Sequence, residues 1–331
     1  MEKTKKEYWT ILVIVLTYIL AVYCCLVELL LDLFCDSSAS EKFRRWKEKT
    51  HSSGAEGSSQ KYALITGADG TIGVYVTEYL VSLGYEVIVL GLRKPTIPSL
   101  KDNSQLCFIQ CDLLHDESLN KAIAVLQSKN LSKIDLVAFV AGTMLHAPLD
   151  TKDSIDPHYA INLLAHAKIM EKARSLLEKS ESPGAVFVSS STSRLGDVSD
   201  IVVDNDHAFR DYINGYKSYA DSKLAVNLYC KAFSRELQNE NSKVKLISVH
   251  PGVVPGGLYR SVFPPIKMFI NKFLPFILRT PQRAAAEILE AIYNDKFNSG
   301  DYVEYNRSAG FMNYSDSQLA SLMKNIRREI G

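Results

Sequence analysis

Tyr219 and Lys223 stand four residues apart in Tyr216-Lys-Ser-Tyr219-Ala-Asp-Ser-Lys223-Leu-Ala-Val-Asn227. On a helix that spacing places both on one face. A lysine ammonium beside a phenol favours the phenolate, which makes tyrosine a usable acid or base near neutral pH. Taken alone, such an i, i+4 pair is more often structural. Upstream, Val186-Phe-Val-Ser189-Ser190-Ser191 reads as a strand ending in hydroxyls. At the carboxyl edge of a parallel sheet these hydroxyls face a ligand crevice, where one serine could hold a substrate oxygen.

A second constellation lies near the start of the ordered pattern. Thr66-Gly67-Ala68-Asp69-Gly70-Thr71-Ile72-Gly73 follows a short apolar run and precedes a helical one. Glycines in a strand–turn–helix context let backbone N–H groups approach a pyrophosphate at the helix N-terminus. Gly67, Gly70, Thr71, Ile72 and Gly73 are therefore candidate cofactor contacts. The next apolar run ends Val89-Leu90-Gly91-Leu92-Arg93-Lys94, with no acid near its end. A site for NAD(H) would place Asp or Glu there, to bind the ribose 2′-hydroxyl. Arg93 and Lys94 suit a 2′-phosphate instead, so NADP(H) is expected over NAD(H). The plainer alternative is a pair of solvated loop cations. Asp69 is an awkward neighbour for a 2′-phosphate.

The elements that must position these groups follow an alternating pattern. Tyr62–Thr66, Glu86–Leu90, Leu106–Gln110, Leu136–Val140, Ala185–Val188 and Val244–Val249 are solid apolar or β-branched runs. Helical spacing occupies Val74–Leu83, Ser118–Gln127 and His158–Leu177 between them. Such alternation predicts an α/β fold: one doubly wound parallel sheet with helices on both faces. No solenoid repeat is present.

The ordered set comprises a Gly-rich turn after the first strand, Ser-Ser after a later one, Tyr-x-x-x-Lys, and then His250-Pro251-Gly252. It resembles the short-chain dehydrogenase/reductase family over roughly residues 60–305. Tyr219-Ala-Asp-Ser-Lys-Leu-Ala, His250-Pro-Gly-Val-Val, Thr280-Pro281 and Ser299-Gly300-Asp301-Tyr302 are similar to its retinol- and steroid-dehydrogenase-like branch. The resemblance implies a Rossmann-type sheet and hydride transfer between a nicotinamide dinucleotide and an alcohol or carbonyl. Under it, Tyr219 exchanges the proton, Ser190 holds the reacting oxygen, and Lys223 binds the nicotinamide ribose and tunes Tyr219. Asn162 supports a proton-relay water. Asp112 and Leu113 touch adenine, Ala141 and Gly142 flank the cofactor, and Pro251, Gly252 and Val254 lie near the nicotinamide. A retinoid, steroid or other lipid is the implied substrate class, and a homodimer is a compatible assembly.

The chain departs from the family at several positions. The glycine loop reads TGxxGxxG rather than TGxxxGxG. Phe139-Val140-Ala141-Gly142 replaces Asn-Asn-Ala-Gly, which predicts a weakened brace between strands. Gly256 stands where the family often has a cofactor-binding threonine, and Arg93 falls one place beyond the branch's usual arginine. Asp197–Ser218 is long enough for a flap over the site, with a surface loop as the plainer reading. Leu258–Leu278 is strongly apolar and sits where the family carries its substrate lid.

Ahead of this domain, Trp9–Val27 carries no charge and is close to the roughly 20 apolar residues that a spanning helix needs. It exceeds the roughly 7–15 apolar residues of a signal peptide. The expected organisation is a membrane anchor at 1–35 with its helix at about 9–29, a linker at 36–60, a catalytic domain at 61–310 with a lid at about 256–280, and a tail helix at 311–331. Basic residues on both flanks slightly favour a cytosolic domain. A single-pass protein of the endoplasmic reticulum or lipid droplet is the matching location. The formal net charge of +1 argues against a nucleic-acid partner. The six cysteines form no disulfide framework, and Cys107 and Cys111 have no partners at metal-ligand spacing; no metal is expected. Two other functions remain: a dinucleotide-binding membrane scaffold or sensor without turnover, and a sugar-nucleotide epimerase. His250-Pro-Gly and the apolar lid argue against the second.

Overall fold

The computed structural model describes residues 60–100, 103–149, 155–201, 209–210, 212, 214–258, 278–310 and 314–331, together with residues 19, 23, 26, 27 and 30. Eight strands form one sheet: β1 (Lys61–Thr66), β2 (Tyr85–Gly91), β3 (Leu106–Gln110), β4 (Leu136–Phe139), β5 (Gly184–Val188), β6 (Lys245–His250), β7 (Tyr302–Glu304) and β8 (Arg307–Ala309). Their order is β3-β2-β1-β4-β5-β6-β7-β8. Every pairing is parallel except β7 with β8. The order reverses between β1 and β4, and in such sheets the ligand crevice opens at that reversal, outside the carboxyl ends of the strands.

The helices α1 (Gly73–Ser82), α2 (Asp116–Ser128), α3 (Ala165–Leu177), α4 (Gly215–Asn239), α5 (Pro281–Tyr293) and α6 (Asp316–Ile330) cover the sheet. Strand side chains alternate between its faces. Leu64, Ile88, Val137, Phe139, Ala185 and Phe187 join one buried cluster with residues of α2, α3, α4 and α6. Ala63, Ile65, Val87, Ala138, Val186 and Ile247 join a second with α1 and α5. Both faces are thus dry, which explains why the strands read as solid apolar runs. On the first face, Phe139 and Phe187 pack with ring centroids 4.2 Å apart, and Tyr229 and Phe233 of α4 continue the aromatic stack.

The strands and helices expected from periodicity are present within a residue or two, except that the helix expected over His158–Leu177 is regular α-helix only from Ala165, a π turn at Ala160–Leu164 preceding it. β7 and β8 were not expected, since three-residue strands are too short to display alternation. The terminal helix α6 starts with a capping box between Ser315 and Gln318. Its Leu319, Leu322, Met323 and Ile326 belong to the first core cluster, so the helix is built into the domain's core.

The proposed spanning segment Trp9–Val27 falls mostly outside the described residues. No helix among the described residues is long and apolar enough to cross a membrane. Ile19, Tyr23, Leu26 and Leu30 are helical with exposed side chains.

Candidate active site

The segments that leave β1, β4, β5 and β6 converge at the carboxyl edge, and α4 runs beside them. Asn214 starts α4, its side chain accepting the N–H groups of Tyr216 and Lys217 at 3.1 and 2.9 Å. Along the helix Tyr216, Tyr219, Lys223 and Asn227 are all buried. Lys223 Nζ donates to the carbonyl of Val188 at 2.8 Å and lies 5.8 Å from the centre of the Tyr219 ring. Burial disfavours its charged form and pushes the amine down to about 7. A β-carbon placed on Gly142 would stand 3.2 Å from Asn162 Oδ1 and 3.5 Å from Lys223 Nζ. Gly142, Asn162 and Lys223 therefore share one small volume, drawn from three separate parts of the chain.

The serines after β5 divide their tasks. Ser189 Oγ donates to the Lys223 carbonyl at 3.1 Å, joining the strand end to α4. Ser190 caps the short 3-10 turn Ser191–Leu195. Its oxygen accepts the Thr192 N–H at 3.2 Å and the Thr192 hydroxyl at 2.6 Å. Accepting both bonds leaves Ser190 its own O–H to donate, the polarity needed to hold a carbonyl or alcohol oxygen.

Asn162 sits in a π turn, Ala160–Leu164, immediately before α3; such turns often mark functional sites. Its amide donates to the Thr143 carbonyl at 3.1 Å and to Ser222 Oγ at 3.0 Å, and its Oδ1 accepts the Thr143 N–H at 2.8 Å. The side chain thereby pins the segment after β4 to α4. Four residues on, His166 is fully buried between Thr66 and the backbone of Asn162. The Asn162 carbonyl can only accept, so Nδ1 carries the proton, and Nε2 accepts the Thr66 hydroxyl at 3.1 Å. Burial and the nearby charge of Lys223 press His166 down to about 3, keeping it neutral. Thr66 Oγ in turn accepts the Ala141 N–H at 3.3 Å. Phe139-Val140-Ala141-Gly142 supplies no asparagine to brace the strands, and other groups make the link here. The β1 threonine and His166 tie the segment after β4 in place.

The glycine loop is tightly folded. Gly67 has φ of +72°, and a β-carbon there would lie 2.6 Å from the backbone of Ala141. A β-carbon on Gly73 would overlap the Gly67 carbonyl. Gly70 N–H closes the turn on the Gly67 carbonyl at 3.0 Å, and Gly70 accepts the Val74 N–H at 3.1 Å. Ile72 at the start of α1 makes no side-chain cap, and the first turn holds no acid. An N-terminus left open in this way, with backbone on its surface, suits a phosphate.

Other expected contacts lie around this cradle. Arg93 is exposed, and its guanidinium pairs with Asp69 at 3.1 Å across the ends of β1 and β2. Asp112 turns its carboxylate into its own loop, accepting the Leu114 N–H at 2.9 Å and facing His115 Nδ1 at 2.8 Å; Leu113 packs against the first core cluster. Gly252, with φ of +81°, lies against Arg279, whose backbone N–H donates to the Val253 carbonyl at 3.1 Å. Arg279 is buried and paired with Glu287, and Val254, two residues after Gly252, is also buried. From the expected flap, Tyr212 donates to the His146 carbonyl at 3.4 Å. Residues 202–208, 211, 213 and 259–277 of the flap and lid lie outside the described set.

Two residues of this framework escaped the reading of the sequence. His166 carried a usable signal, because it lies four places after Asn162 on a helix. Arg279 carried none, since its role arises only where the residues before α5 return to β6.

A family model described as short chain dehydrogenase matches residues 61–265. Human polyprenol dehydrogenase is 28% identical over 274 residues, covering 75% of this chain and 81% of the relative. Among solved structures, a short-chain dehydrogenase of Shigella flexneri complexed with NADP superposes with a TM-score of 0.55 at 20% identity, covering 75% of this chain and 97% of that one. The 3-alpha-hydroxysteroid dehydrogenase of a Pseudomonas species, complexed with NADH, gives a TM-score of 0.55 at 19% identity, covering 70% and 89%. At these identities the solved structures speak to the fold, and the sequence match speaks to descent. The chain belongs to the short-chain dehydrogenase family.

Proposed function

We propose that the protein is an NADP(H)-dependent oxidoreductase that interconverts an alcohol and a carbonyl on a lipophilic substrate. One observation carries the reading: buried Lys223 and Asn162 flank Gly142, next to the Ala141 backbone on which Gly67 of the glycine loop packs, and Tyr219 lies beside Lys223 on α4. The loop geometry fits a dinucleotide, with Gly67, Gly70, Thr71, Ile72 and Gly73 around the phosphates and Ala141 and Gly142 behind them. Pro251, Gly252 and Val254 line the far side, with Asp112 and Leu113 toward the adenine. Such a cofactor supplies or accepts the hydride. Ser190 holds the substrate oxygen by its O–H. Tyr219 gives that oxygen a proton in reduction and takes one from it in oxidation. A cationic Lys223 favours the tyrosinate form, and Asn162 holds the segment after β4 against α4. The polyprenol dehydrogenase relative supports a long isoprenoid alcohol among the lipid substrates to be tried.

In the full chain, Trp9–Val27 serves as a single membrane anchor, residues 36–60 as its linker, and Leu258–Leu278 as an apolar mouth facing the bilayer. The domain faces the cytosol, on the endoplasmic reticulum or lipid droplet. Alkaline carbonate should leave the full chain in the membrane pellet; its release would mean that no spanning helix exists.

Turnover is tested with the full chain in detergent, given NADPH or NADH and a panel of retinoid, steroid and polyprenyl carbonyls. Tyr219→Phe should lower kcat by roughly 10²–10⁴-fold, the span for losing a general acid or base, with little change in cofactor affinity. Tyr216→Phe is the control. Loss of activity in Tyr216→Phe but not in Tyr219→Phe would overturn the assignment. A chain that binds NADPH yet reduces nothing on the panel would be the scaffold.

Cofactor preference rests on Arg93 and on the missing acid after Leu90. Titration should show tighter NADPH than NADH, with Arg93→Ala narrowing the difference. Tighter NADH would reverse the assignment.

The depressed amine of Lys223 predicts a pH signature in the unliganded protein. The unfolded lysine keeps its proton up to its ordinary value of about 10.4, whereas the folded one releases it near 7. Between those values the unfolded state binds more protons, so this residue's contribution to stability falls as pH drops from about 10 to 7 and levels off below. Lys223→Met should remove that slope. Thermal melts in which wild type and Lys223→Met run parallel between pH 7 and 10 would rule the burial penalty out.

A further inference from the structure

The two departures from the family pattern, in the glycine loop and at position 256, meet in space. Thr71 occupies the place of the loop's middle glycine, and Gly256 occupies the place of a side-chain-bearing residue. A β-carbon on Gly256 would stand 2.2 Å from Thr71 Oγ1, 2.8 Å from its Cβ and 2.9 Å from its Cγ2. These are atoms of a β-branched side chain with little freedom to swing aside. The Thr71 hydroxyl also accepts the Gly257 N–H at 3.2 Å.

We propose that Thr71 and Gly256 are a reciprocal exchange, in which Thr71 fills the space a side chain at 256 would take and its hydroxyl docks the segment leaving β6 onto the glycine loop. The inference rests on the dinucleotide reading above. Thr71 is then a positioning residue: it joins the phosphate cradle to Pro251, Gly252 and Val254 at the opposite end of the site. Arg279 holds the same segment from the other side through the carbonyls of Pro251 and Val253. The segment is thus fixed at both ends, and Gly256 is required because the threonine has already taken its volume.

A double-mutant cycle in the full chain tests this, with Gly256→Thr, Thr71→Gly and the two combined, and with Gly256→Ala as a milder arm. Melting temperature is read without dinucleotide; NADPH Kd, cofactor KM and kcat are read with it. Gly256→Thr should lower the melting temperature and weaken NADPH roughly tenfold, since overpacking a filled site costs on the order of one such factor or more. Thr71→Gly should raise cofactor KM more than it lowers kcat. The combined variant should return NADPH affinity to within about threefold of wild type, because residues in contact do not add independently. A harmless Gly256→Thr and Gly256→Ala, or a combined variant as weak as the product of its parents, would overturn the exchange. A chain that binds no NADPH would instead sink the functional reading, while the melting-temperature cycle still decides whether the two positions compensate.

Discussion

Residues 67 and 141 approach so closely that a β-carbon on the first would lie 2.6 Å from the backbone of the second. The site depends on this contact. β1 and β4 are neighbours in the sheet, yet their chains leave toward helices on opposite faces. At that divergence the crevice opens, and its floor is bare backbone because no side chain fits there. Bulk at residue 67 would push the β4 exit away from Thr66, and the bond from Ala141 N–H to the Thr66 hydroxyl would go with it. Gly142, one residue on, would then lose its place between Asn162 and Lys223.

Lys223 presents the opposite problem: a polar group held where water is scarce. Its amine donates to the Val188 carbonyl, and burial lowers its proton affinity. An unpaired ammonium in such a place is costly. The surroundings are polar but carry no carboxylate bonded to the amine among the described residues: a carbonyl, the Asn162 amide oxygen, and a neutral His166. A buried amine close to a phenol, able to take up a proton, is the arrangement that acid–base work at an alcohol oxygen needs. Structural lysines of this domain, such as Lys168 and Lys217, are instead satisfied by Asp116, Asp200 and Asp221.

Compensation runs through the departures from the family pattern. Phe139 leaves no amide to brace the strands and instead packs its ring 4.9 Å from that of His166. The polar work passes to Thr66 and His166, which link the Ala141 N–H to the Asn162 carbonyl through three hydrogen bonds and a tautomer fixed by its acceptor. Thr71 and Gly256 trade size in the same manner. Arg93 is different: its partner Asp69 already holds the guanidinium, so any anion that used Arg93 would have to compete with a carboxylate for it.

The amino-acid sequence by itself determined whatever depends on near neighbours along the chain. Solid apolar runs alternating with helical spacing required a covered parallel sheet. Gly67, Gly70 and Gly73 marked a turn into a helix, and the four-residue spacing of Tyr219 and Lys223 placed both on one face of α4. The tertiary structure alone decided the contacts between distant segments. Thr66 and His166 are 100 positions apart, and Thr71 and Gly257 are 186 apart. Arg279 reaches the segment leaving β6 only because α5 packs back on the sheet. Such contacts leave no periodic trace, because each depends on how two independently formed elements approach. A hydrogen bond or an excluded volume between them exists only once the sheet has brought them together.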